Sequence, residues 1–180
     1  MLDLLFRCNS YRNFMKWIKL FPLSTLLFQI LFTGSAFSQM SNMSDRQFHP
    51  PLEIPLRLSG NFGELRTNHF HAGIDIKTQG VSGKKIHAIA DGYVFRIKVS
   101  ATGYGRAIYI HHPERGVSSV YGHLEAFSER ITDYIRTNQY SKKSFEIQLF
   151  PGKDLFQVKN GDLIGYSGNS GSSKGPHLHF

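Results

Sequence analysis

From residue 54 onward the chain is interrupted at short intervals by Gly, Pro, Asn, Asp and Ser, and the stretches between are rich in β-branched and aromatic residues. Such punctuation leaves room for short strands joined by turns and for little else. Residues 54–58, 85–90, 92–99, 106–111, 117–123, 145–150, 162–167 and 177–180 read as strands. Turn signals at Asp91-Gly92, Gly103-Tyr104-Gly105, Pro151-Gly152 and Asn160-Gly161 favour antiparallel hairpins. The expectation is an all-β, mainly antiparallel sandwich or barrel. One segment breaks the rhythm: in residues 127–140, Phe127, Ile131, Tyr134 and Ile135 recur at helical spacing, with Glu129, Arg130, Asp133 and Arg136 between them. This predicts a single inserted amphipathic helix, packed over a sheet edge or walling a groove beside His123.

A length of 180 residues with 41% hydrophobic residues suits one domain with a real core. The first 38 residues stand apart. Arg7, Arg12, Lys16 and Lys19 precede an apolar run over residues 20–32 and a small-residue exit at Ala36 and Ser38. That is the pattern of a secretory signal peptide cleaved before Gln39, and the run is short for a membrane span. Residues 39–53, polar and proline-ended, read as a linker. The sole cysteine, Cys8, would leave with the signal, so the exported form would hold no disulfide.

Removing residues 1–38 takes away four of 21 basic residues and one of 13 acidic ones, leaving a formal charge of +5. A basic exported protein is drawn weakly to anionic surfaces such as wall polymers and lipid headgroups. The cations are scattered, and no helix-turn-helix, zinc-finger or RNP pattern occurs, so nucleic acid is not an expected partner.

Two histidine-bearing stretches carry the chemistry: His71-Ala72-Gly73-Ile74-Asp75 and His177-Leu178-His179-Phe180. Together they offer imidazole and carboxylate donors of the kind that hold catalytic zinc, a three-ligand ion with a position left for water. In an extended strand His177 and His179 project to one face while Leu178 and Phe180 turn to the core. His71 and Asp75 would stand about 13 Å apart on an ideal strand. The backbone must therefore bend between them, and Ala72-Gly73 can supply the bend through a positive φ at the glycine, with side-chain space left over. The Gly/Ser/Asn-rich stretch 167–176 suits a tight loop that sets the His-Leu-His strand beside a cleft.

These motifs, with Ala90-Asp91-Gly92-Tyr93-Val94, Gly103-Tyr104-Gly105, Tyr121-Gly122-His123-Leu124, Gly161-Asp162-Leu163-Ile164-Gly165 and Gly168-Asn169-Ser170-Gly171, occur in an order and spacing that resemble the lysostaphin/LytM-type zinc endopeptidases. The resemblance covers residues 58–180. It implies a duplicated hybrid motif β-sandwich or barrel, one Zn2+ per chain, and hydrolysis of peptidoglycan stem or cross-link peptides. By the same likeness His71, Asp75 and His179 are the metal ligands, and His123 and His177 the unliganded catalytic pair. An imidazole of ordinary pKa is suited to that proton handling near neutral pH. The division of labour between the two is left open.

The same resemblance makes residues 54–180 a LytM-type peptidase domain, acting after export in the periplasm, cell envelope or outside the cell. Relatives run on past the His-Leu-His strand, so the domain is expected to be truncated at its C-terminal end. Some relatives are described as holding the oxyanion with a tyrosine upstream of the first motif. Here no Tyr lies between Gln39 and His71, and Phe62 and Arg66 occupy that stretch. Losing one such donor typically slows turnover about 10² to 10³-fold, so lower activity, or an arginine in the tyrosine's place, is expected.

The other histidines, His49, His69, His87, His111 and His112, are expected to be structural or solvent-facing. His69, two residues before His71, is the one candidate to orient a ligand or touch substrate. Two further readings compete: a non-catalytic LytM-like adaptor that binds wall or activates an amidase, and a hybrid-motif carrier or phosphotransfer domain. The first usually lacks one of the five residues kept here. The second needs neither Asp75 nor an export signal.

Overall fold

The computed structural model describes residues 47–67 and 69–180. The proposed signal peptide, 1–38, and residues 39–46 of the linker lie outside them. In chain order the strands are β1 (Leu58–Gly60), β2 (Asp75–Lys77), β3 (Lys85–His87), β4 (Gly92–Val99), β5 (Arg106–His112), β6 (Val117–Tyr121) and β7 (Leu124–Phe127). They are followed by helix α1 (Glu129–Lys142) and by β8 (Ile147–Leu149), β9 (Gln157–Val158), β10 (Leu163–Ser167) and β11 (His177–His179).

Every pairing is antiparallel. The largest sheet runs β6-β5-β4-β8 with β9 also on β4; a second runs β3-β10-β7; the third, β1-β2-β11, carries the histidine motifs. The all-β expectation with one inserted helix holds. Three of the elements expected from sequence shift by a few residues for identifiable reasons. The first strand starts at Leu58 rather than residue 54, while residues 49–52 pack back on the body: the His49 N–H donates to Ile89 O, the His87 N–H to Pro51 O, and Leu52 is buried. The strand expected over 117–123 ends at Tyr121, because His123 takes a left-handed φ of 59°. The helix begins at Glu129, since Phe127 is claimed by β7. Strand β2, which begins at Asp75 directly after the expected bend, adds to the stretches that read as strands.

Alternating residues of the strands fill the core. Val94, Ile97, Ile108, Ile110, Ile164 and Leu178 are fully shielded from solvent, each a gain of about 1.5–3 kcal/mol relative to exposure. Helix α1 adds Ile131 and Ile135, as its spacing predicted, and ends on Lys143 in the left-handed conformation with its N–H on the Gln139 and Tyr140 carbonyls. Among the described residues no helix is long and apolar enough to cross a membrane.

The β4–β5 hairpin turns through Gly103 and Gly105, both at φ of 61°, conformations that cost glycine least. A Cβ on Gly105 would come within 2.4 Å of Ser170. That close approach locks the hairpin tip to the 168–176 loop, helped by the Ser172 N–H on Gly103 O and the Arg106 N–H on Ser170 Oγ. Tyr104 and the His-Leu-His motif are thereby brought to one place.

Candidate metal centre and groove

Strand pairing builds the centre. The register of β11 on β2 sets His179 opposite Asp75 and Leu178 opposite Ile76. Directly opposed residues share a face, so the ligand-type side chains point one way while Ile76 and Leu178 enter the core. His71 arrives through the bend that precedes β2. The bend is pinned on one side by reciprocal hydrogen bonds between Ile74 and Phe180 (2.7 and 2.8 Å), and on the other by the His71 N–H on Glu64 O. Of the two contributions expected of Gly73, the positive φ is absent and the side-chain space is kept. What matters is its missing side chain: a Cβ there would stand 2.5 Å from Phe180 O and 2.8 Å from His179 Nε2.

Three donor atoms converge as a result. Asp75 Oδ1 lies 3.0 Å from His71 Nε2 and 3.1 Å from His179 Nδ1, and the two nitrogens are 3.0 Å apart. Ligands at 2.0–2.1 Å around a tetrahedral ion would be separated by about 3.3 Å, so the triad needs only a slight expansion to take zinc. Borderline-soft imidazole nitrogens with one carboxylate oxygen form a donor set matched to that ion. His71 Nδ1 donates to Asn61 O at 2.9 Å. This fixes the tautomer that leaves the Nε2 lone pair toward the triad.

The second oxygen of Asp75 is occupied by Arg66, whose Nη2 donates to Oδ2 at 3.0 Å and also to Glu64 at 3.0 Å. Gly60 makes room for this pair, since a Cβ there would sit 2.4 Å from Arg66 Nη2 and 2.6 Å from Asp75 Oδ2. The arginine noted in place of the upstream tyrosine is therefore committed to orienting the carboxylate.

His123 and His177 flank the triad with ring centroids 4.7 Å apart. Each is anchored through Nδ1: His123 donates to Ser170 O at 2.8 Å, and His177 to Gly175 O at 2.8 Å. Their Nε2 atoms are left for the groove, that of His177 standing 3.4 Å from Asp75 Oδ1. The left-handed backbone at His123 is uncommon for a residue with a side chain. It is stabilised by the His123 N–H on Tyr104 O. Tyr104 itself stacks on His179 at 4.3 Å and meets His123 edge-on at 6.1 Å. All five candidate residues line one groove of about 610 Å³, with Arg66, His69, Tyr104 and Lys174 on its walls.

Burial sets the electrostatics. It pushes the His179 imidazole down to about 4 despite the pull of Asp75, and it lowers His123 as well, against the hydrogen bond to Ser170. Burial would raise the Asp75 carboxyl, but the charges of His177 and His71 and the hydrogen bonds from His179 and Arg66 outweigh it, leaving Asp75 below its ordinary value. Tyr104 is raised, chiefly by burial. Neutral imidazole and ionised carboxylate are the forms that bind a cation.

The remaining histidines divide as their surroundings dictate. His112 is fully buried: Nδ1 donates to Asp91 O, and Nε2 lies 2.8 Å from Ser119 Oγ, which donates to the Tyr121 hydroxyl. The same hydroxyl accepts the Ile89 N–H. His87 bonds Gly161 O and His111 contacts Ser118, both away from the groove. His69 reaches the groove wall. In sequence Gly103-Tyr104-Gly105 is simply a turn, and only the aromatic residue between its two glycines hints that Tyr104 belongs to the site.

Residues 69–140 match the model of Peptidase family M23. The chain is 33% identical over 129 residues to the DD-carboxypeptidase/endopeptidase Mpg of Neisseria meningitidis, covering 69% of this chain and 24% of that protein. It is 29% identical over 136 residues to an uncharacterized metalloprotease of Haemophilus influenzae, covering 72% and 23%. The chain thus spans about a quarter of the length of the curated relatives it matches. Among solved structures it is similar in fold to a zinc-containing peptidase from Vibrio cholerae, with a TM-score of 0.51 and 22% identity, covering 74% of this chain and 36% of that one. The catalytic domain of the prophage-encoded M23 protein EnpA from Enterococcus faecalis gives a TM-score of 0.50 and 24% identity, covering 73% and 83%.

Proposed function

The chain belongs to peptidase family M23, and from that premise we propose that it is a zinc-dependent metalloendopeptidase that hydrolyses cross-link or stem peptides of bacterial peptidoglycan. The observation that carries this reading is the convergence of His71 Nε2, Asp75 Oδ1 and His179 Nδ1 to mutual distances of 3.0–3.1 Å at the floor of an open groove. The Neisseria relative, named for carboxypeptidase and endopeptidase action, supports the substrate class.

In this reading His71, Asp75 and His179 hold one zinc ion. Bound zinc supplies Lewis acidity toward a peptide carbonyl and toward water. The protein's own residues supply the rest. His123 and His177 present Nε2 to the groove with Nδ1 tethered to a carbonyl, so each can accept and return a proton at a fixed point. Positioned acid–base groups of this kind contribute about 10² to 10⁴ in rate. Tyr104 covers one face of His179 and restricts water there.

Residues 1–38 serve as the export signal in this proposal, residues 39–53 lead into the domain with 49–52 already docked against it, and residues 54–180 cut in the envelope: the periplasm, the wall or outside the cell. The test is metal analysis of the folded protein, followed by mass spectrometry of digested wall. One zinc per chain and new amino termini in the digest are expected. A folded protein that yields neither would be a wall-binding adaptor or amidase activator instead.

A further inference from the structure

We infer that Lys174 reads a free carboxylate beside the scissile bond, so that the groove prefers an acidic cross-link peptide to an uncharged one such as oligoglycine. The inference rests on the metallopeptidase reading for the place where substrate lies.

The groove has three fully charged side chains on its walls: Asp75, Arg66 and Lys174. The first two neutralise each other, and Arg66 is further paired with Glu64. Lys174 is exposed, and among the described residues it forms no ion pair or hydrogen bond. Among the described residues it is the one cation on these walls without a counter-charge.

The backbone that presents it is held on both sides. The Ser172 N–H bonds Gly103 O, and Ser172 Oγ accepts the Gly103 N–H. Ser173 Oγ donates to Gly175 O, and the His177 N–H bonds Gly168 O. Lys174 thus stands on a braced turn three residues before His177, where a substrate anion can meet it without ordering a mobile loop. Holding a lone ammonium on the wall of a groove that also gathers a divalent cation raises the local positive potential, and that favours peptides carrying an extra carboxylate. A hydrocarbon or glycine chain gains nothing from it.

The probes are two synthetic cross-link peptides with a D-alanyl–diamino acid bond. They are identical except that the diamino acid ends in a free carboxylate in one and a carboxamide in the other; pentaglycine blocked as its N-acetyl amide is the third arm. Binding to the zinc-loaded protein is measured by calorimetry, and turnover is followed separately. The carboxylate peptide should bind about threefold to fivefold tighter than its amide at low salt, the range of an exposed ion pair, and the gap should close in high salt. Lys174→Ala should abolish the preference, Lys174→Arg keep it, and Lys174→Glu reverse it, each through KM rather than kcat. Equal binding of the carboxylate and carboxamide peptides, a preference that survives Lys174→Ala, or pentaglycine binding as well as the acidic peptide would overturn the inference. Absence of cleavage of every peptide would count against the metallopeptidase reading, while the calorimetric preference would still decide the role of Lys174.

Discussion

Arg66 holds Oδ2 of Asp75 at 3.0 Å and so leaves only Oδ1 to the imidazoles of His71 and His179. A carboxylate gripped in this way offers a cation one oxygen in a fixed orientation. Partners that orient metal ligands typically account for about 10 to 100-fold in affinity. Arg66→Ala is expected to weaken zinc binding by about that factor, measured by chelator competition, with Lys at this position restoring less than half of the loss because it lacks the planar fork. Unchanged affinity in the alanine variant would refute the orienting role.

Gly60 makes a separate claim testable. Its absent side chain is the space in which Arg66 and Asp75 meet. Gly60→Ala should push that pair apart and reproduce the metal-affinity defect of Arg66→Ala, with the two changes combined adding little to either alone. Fully additive losses would show that Gly60 acts elsewhere.

Stability of the metal-free protein should depend on pH in a definite direction. Burial brings His179 from 6.5 to about 4, so between those values the unfolded chain binds more protons than the folded one. Stability is therefore complete above about pH 6.5 and lost as pH falls toward 4. Asp75, also depressed, continues the loss below pH 3.8. Denaturant midpoints measured from pH 7.5 to 4 should decline, and His179→Gln should flatten the decline between 6.5 and 4. A level profile in the wild-type protein would contradict the burial argument.

His177→Ala and His123→Ala should each retain one zinc per chain while turnover drops by about 10² to 10⁴. His71→Ala, by contrast, should lose the metal itself. Metal content and kcat measured on the same samples separate the two classes, and loss of zinc from the His177 variant would make that residue a ligand.

Much of this site was legible before the structure because ligand chemistry leaves a dense local signature. His-x-His on a strand and His-x-x-x-Asp across a glycine each restrict geometry within a few residues. The fold class was legible for the same kind of reason, since turn residues and β-branched runs act locally. What escaped reading depended on neighbours distant in sequence. β2 is three residues long and exists because β1 and β11 flank it. Gly73 promised both a positive φ and side-chain space; only the space is used, and what fills it, the edge of His179 and the Phe180 carbonyl, comes from far along the chain. Tyr104 looked like turn filling, and only the β4–β5 hairpin's docking on the 168–176 loop turns it onto His179. The strand expected through His123 fails at a dihedral angle set by Tyr104 O, a partner no local pattern announces.

The opposition of Asp75 and His179 across β2 and β11 joins positions 104 apart in the chain. Contacts of such separation form late, once loop closure has been offset by shorter-range structure. No partly folded form that still lacks the β2–β11 ladder has the three donors assembled, and an ion that prefers the completed site pulls the population toward it. On the proposed reading, metal uptake would double as a checkpoint on maturation, with hydrolytic competence conferred only on molecules that have finished folding.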